Sequence, residues 1–72
     1  MDEERLGEIA HEYSLEREKL REALAEISPE ELKRRAGDWE WLAEKGLARP
    51  GERELKKIGK AVFKYYGIPL PD

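Results

Sequence analysis

Apolar residues recur along this chain with helical spacing. Between Asp2 and Glu12, Leu6, Ile9, Ala10 and Tyr13 fall at i, i+3, i+4 and i+7, one face of a helix whose positive end suits Asp2, Glu3 and Glu4. Ser14 then offers an N-cap for a second helix in which Leu20, Ala23, Leu24 and Ile27 share a face, although one bent helix over 2–27 satisfies the same pattern. Ser28-Pro29-Glu30-Glu31 is the strongest local signal: Ser as N-cap, Pro at the first helical position, and Glu31 placed to reach back as a capping box. It predicts a third helix through Leu32 to Ala36, stopped by a left-handed Gly37, with Asp38 capping a short fourth helix from Trp39 to Lys45. Gly46 ends that helix in the same way, Leu47 folds back on its last turn, and Arg49-Pro50-Gly51 forms a loop. The last helix, Glu52 to Tyr66, buries Leu55, Ile58, Gly59, Val62, Tyr65 and Tyr66. Gly67 terminates it, and Ile68-Pro69-Leu70-Pro71 leaves extended, apolar enough to pack back.

No segment alternates as a strand, so the expected fold is all-α: a single domain over 1–72 made of four or five short, irregularly packed helices. Helices of such unequal length cross steeply, around Trp39, Trp41 or both, with Gly7 and Gly59 permitting close backbone approach. At 72 residues the core is small, and a core of this size rarely supplies more than ~3–5 kcal/mol. With no Cys and one His, a disulfide framework, a thiol nucleophile and a Cys/His zinc site are excluded. The absence of a long apolar run predicts neither a signal peptide nor a membrane span, hence a soluble, cytoplasmic chain, expected as a monomer rather than a dimer.

Asn, Gln and Thr are also absent, and Ser occurs only at Ser14 and Ser28. Neutral hydrogen-bonding side chains orient most ligands, oxyanions and base edges, so the expectation is no enzyme, no cofactor and no obligate partner. Glu8 and His11 form a Glu-x-x-His, the spacing of di-iron bundle ligands, which a single copy cannot complete. Adding Ser14 gives a carboxylate, imidazole and hydroxyl at i, i+3 and i+6, fanned over a helix surface without oxyanion donors. Both are read as surface positions. Trp39, Trp41, Phe63, Tyr65 and Tyr66 can line a pocket but serve more economically as core; Trp39 and Trp41 cannot both point inward, and Trp41 is taken as the contact aromatic.

Charge divides the chain: residues 1–44 carry 14 acidic and 7 basic side chains, residues 45–72 carry 3 and 7. On the last predicted helix Arg53, Lys57, Lys60 and Lys64 form a stripe that can follow a phosphate backbone or be a solvated face answering the acidic half. Glu30 with Arg34, Glu31 with Arg35 and Glu52 with Lys56 are i, i+4 pairs of favourable orientation.

Residues 19–70 resemble in part the Cro/C1-type (XRE) helix-turn-helix domain, through Leu20 to Leu24, Ser28 to Gly37, Glu44 to Pro50, and Leu55, Ile58, Ala61 and Ile68-Pro69-Leu70. That resemblance implies a small regulator that binds DNA, or mimics it with its acidic half. Gly37-Asp38-Trp39-Glu40-Trp41-Leu42, where the family's recognition helix enters, is shorter, acidic and aromatic, and carboxylates facing phosphates are repelled. In style the whole chain resembles de novo designed helical proteins: Ser-Pro-Glu-Glu-Leu as a helix start, Gly at helix ends, and Glu, Lys, Arg, Leu and Ala elsewhere. A thermophile's enrichment in Lys and Glu gives a similar vocabulary. The design resemblance implies a thermostable scaffold without evolved activity.

Overall fold

A computed structural model describes residues 2–72. Where capping chemistry is local, the elements start as the sequence dictates. Asp2, Ser28 and Asp38 each accept the amide N–H three residues on, from Arg5, Glu31 and Trp41 at 3.1 Å, and so open α1 (Glu3–Glu12), α3 (Pro29–Arg34) and α4 (Trp39–Glu44). The other two helices among the described residues, α2 (Arg17–Glu26) and α5 (Lys57–Tyr66), start without a side-chain cap. The all-α expectation holds.

Three turns share one geometry. After α1, α4 and α5 the chain places Ser14, Gly46 and Gly67 at φ 56°, 79° and 69°. The following residue's N–H then bonds back to Ala10, Leu42 or Phe63 at 2.8–3.0 Å, the Schellman pattern. Ser14 is therefore not the cap of α2. It occupies the left-handed position that ends α1, so residues 2–27 form two helices, and α2 is preceded by Glu16. Gly37 does not take the left-handed form either: α3 closes at Arg35, whose N–H bonds to the Glu31 carbonyl.

The largest departure is the start of α5. Residues 52–56 are not helical; Ala48 and Leu55 pair in an isolated antiparallel bridge, flanked by bonds from Arg49 N–H to the Glu54 carbonyl (2.9 Å) and from Lys56 N–H to the Leu47 carbonyl (2.8 Å). The turn over Pro50 and Gly51, with Gly51 at φ 75°, makes that pairing possible. Leu55 is buried by the bridge instead of by a helical stripe.

α1, α2 and α5 pack against one another, and the core runs from Leu6 and Ile9 through Leu20 and Leu24 to Val62 and Phe63. Among the described residues the buried side chains are all apolar. Phe63, outside the stripe read from spacing, is fully buried because α5 is covered on several sides, by α1, by α2 and by the Leu47 segment. Gly59 is where that segment comes closest: a Cβ there would lie 2.1 Å from the Leu47 carbonyl oxygen. At Gly7 the approach is only by the Arg17 side chain. The tail packs back through Ile68, while Leu70 is 53% exposed.

Side chains tie the helix ends together. Arg5 donates to the Lys64 carbonyl (3.1 Å) and lies over the Tyr65 ring, and the Asp2 amide donates to the Tyr65 hydroxyl (3.3 Å). The single O–H of Tyr66 points at the Leu24 and Ile27 carbonyl oxygens, 2.9 and 2.6 Å away, and so covers the unpaired end of α2. Arg21 bridges Glu3 and Glu18. None of the expected i, i+4 pairs forms among the described residues: Arg35 pairs with Asp38 at i, i+3, and Glu30, Glu31 and Glu52 take part in none of their ion pairs.

Candidate functional site

The expected basic stripe is divided by the late start of α5. Lys57, Lys60 and Lys64 lie on one face of the helix at i, i+3 and i+7, all exposed, but Arg53 belongs to the preceding loop. Lys64 is committed to Glu12 of α1, its ammonium 2.8 Å from the carboxylate, and that hydrogen bond raises the ammonium's pKa. Lys57, Lys60 and Arg53 take part in none of the ion pairs of the described residues. What remains of the stripe for a phosphate backbone is a pair of lysines on α5 and one arginine in the loop before it.

The aromatic residues do not converge on one pocket. Tyr65 and Tyr66 meet edge to face with ring centres 5.8 Å apart, and Phe63 is enclosed in the core. Trp41, expected at the surface, is buried, with the Arg35 guanidinium 5.3 Å over its ring and Arg35 held in turn by Asp38 at 3.2 Å. Trp41 follows Leu42 into the core, which turns Trp39, two residues away on a helix, toward the rim. Trp39 is half-buried, and its indole Nε1 is buried without a hydrogen-bond partner.

A cleft of about 220 Å³, open to solvent and largely apolar, is lined by Trp39 and Glu40 from the start of α4 and by Gly51, Glu52 and Arg53 from the turn. Sequence reasoning placed Glu52 and Arg53 on a helix and so missed this juxtaposition. The available signal was Pro50-Gly51, a turn that folds the following residues back. Glu8, His11 and Ser14 are all exposed on or just after α1, and the described residues contain no cluster of three potential metal ligands.

Titration follows structural contacts. The Arg21 guanidinium is raised by its hydrogen bond to Glu3, and the Tyr66 hydroxyl is raised mainly by burial, then by the charges of Tyr65 and Glu30. No known protein family, curated protein or solved structure matches the chain. No helix of the described residues is long and apolar enough to cross a membrane.

Proposed function

We propose that this chain is a designed all-α scaffold, a sequence chosen to hold its fold, monomeric and thermostable, with no evolved activity. The observation that carries this reading is the agreement between local chemistry and packing at five helix ends. Asp2, Ser28 and Asp38 cap the helices they precede, Gly46 and Gly67 take the left-handed turns that end α4 and α5, and the buried side chains are apolar. Idealised sequences of this kind are typically hyperstable. Thermal unfolding of the chain alone should be cooperative, reversible and independent of protein concentration, with a midpoint above ~90 °C. A midpoint in the ordinary range of about 45–65 °C, raised by an added DNA duplex, would overturn it.

A second reading, a small helix-turn-helix regulator, rests on Arg53, Lys57 and Lys60, which are exposed and outside any ion pair of the described residues. The exposed acids of α4, Glu40 and Glu44, oppose contact between that helix and phosphates. Fluorescence anisotropy with a labelled mixed-sequence duplex, at low and near-physiological salt, tests it. Binding that weakens steeply with salt, and a flatter salt slope for Lys57→Glu with Lys60→Glu, would support it; absence of binding at low salt removes it.

A further inference from the structure

The cleft at the start of α4 has the makings of a recognition site. Its aromatic wall is Trp39, and because Nε1 is buried away from solvent, the part of the indole left to the cleft is carbon. Such a ring holds a ligand through its π system and not by donating a hydrogen bond. Glu40 and Glu52 line the same cleft, both exposed and both outside the ion pairs of the described residues. Arg53 is the one cation of the lining, so the cleft carries a formal excess of one negative charge.

We propose that this cleft binds a methylated ammonium group, presented by a small free cation or by a trimethyl-lysine side chain on a peptide. Indole is the best aromatic partner for a cation. A methylated ammonium wraps its charge in apolar surface, so it enters a mostly apolar cleft at little loss of hydration, whereas a compact, strongly hydrated ion loses much more. Two carboxylates against one guanidinium favour a cation and repel an anion. The proposal is independent of the scaffold reading, since the cleft binds by its chemistry whatever the origin of the sequence.

The test is a titration of the ¹⁵N-labelled chain with tetramethylammonium chloride, against sodium chloride at equal ionic strength. It is read by NMR at the Trp39 indole N–H and the Gly51, Glu52 and Arg53 amides. A saturable shift confined to these groups is expected. Glu40→Gln with Glu52→Gln should weaken binding by roughly 1.5- to 5-fold for each carboxylate, and Arg53→Gln should strengthen it by a similar factor, the range of exposed charge pairs. All three positions are exposed, so the variants should keep the parent's dispersed spectrum. Shifts that do not saturate, an equal response to sodium, or a double carboxylate variant that binds as tightly as the parent would each overturn the proposal. Tighter binding of a trimethyl-lysine peptide than of tetramethylammonium assigns the site to peptides; equal binding assigns it to the free cation.

Discussion

Gly59→Ala is the most informative single change, because helix propensity and packing make opposite demands on it. In an isolated helix the substitution stabilises by about 1 kcal/mol. Here the new Cβ would lie 2.1 Å from the Leu47 carbonyl oxygen, and ordinary contact begins at 3.4 Å, so about 1.3 Å of separation must open between backbone and backbone. Neither side is free to give. The carbonyl is held by the Lys56 N–H at 2.8 Å, and on α5 the adjacent Ala61, Val62 and Phe63 are fully buried. Overpacking a core typically costs about 1–3 kcal/mol, occasionally more, and a clash between main-chain positions belongs at the upper end. After the propensity gain the net loss is about 2 kcal/mol or more, which in a domain of this size lowers the melting midpoint by roughly 10–15 °C. Gly7→Ala is the control: its Cβ would meet only the far end of the Arg17 side chain, from 3.0 Å, which can swing aside. That variant should match or exceed the parent by up to about 1 kcal/mol. Urea denaturation of the three proteins followed by circular dichroism decides the matter. A Gly59→Ala midpoint at or above the parent's, with an unchanged m-value, would refute the close approach of Leu47 to α5.

Two further substitutions probe the helix ends. Tyr66→Phe removes the hydroxyl that covers the Leu24 and Ile27 carbonyls and should cost about 1 kcal/mol in the same denaturation assay. Its pH dependence is diagnostic. The folded state raises the Tyr66 pKa and so favours the neutral phenol; the associated stability is complete below the unfolded value of about 10 and is lost as pH rises through the folded value. The parent should therefore lose urea resistance above about pH 10 more steeply than Tyr66→Phe, and the slope left in the variant should include the Lys64 ammonium, also raised and lost in the same direction. Identical alkaline profiles would contradict the role given to Tyr66. Ser14→Gly relieves a left-handed φ of 56° at an exposed position and should raise the melting midpoint, by roughly 0.5–1 kcal/mol in stability; a lower midpoint would contradict the turn geometry.

What could be read from the sequence was chemistry that acts over three or four residues. Ser28 and Asp38 cap, and Gly46 and Gly67 reverse the chain, because the groups they satisfy are neighbours in sequence. Ser14 was misread because a serine between two helices suits either element, and the bond from Leu15 N–H to the Ala10 carbonyl gives it to the first. Residues 52–56 carry good helix formers, yet the bridge between Ala48 and Leu55 outweighs their propensity, a tertiary preference with no local mark except the Pro50-Gly51 turn. The same turn brings Gly51, Glu52 and Arg53 to Trp39, so the cleft was invisible while those residues were placed on a helix. Which tryptophan is buried depended on what α4 packs against, and spacing alone is silent on that.

The clasp of Arg5 and Asp2 on Lys64 and Tyr65 also bears on how the chain reaches its fold. These contacts span 59 to 63 residues, whereas the caps and Schellman turns close within three to five. Helices of this length form in well under a microsecond to about a microsecond, and closing a loop of some sixty residues adds an entropic barrier that local contacts do not meet. Docking of α1 onto the end of α5 requires that long closure, whereas α1 meets α2 across a short turn. An all-helical chain is thereby set to fold more slowly than its helices form.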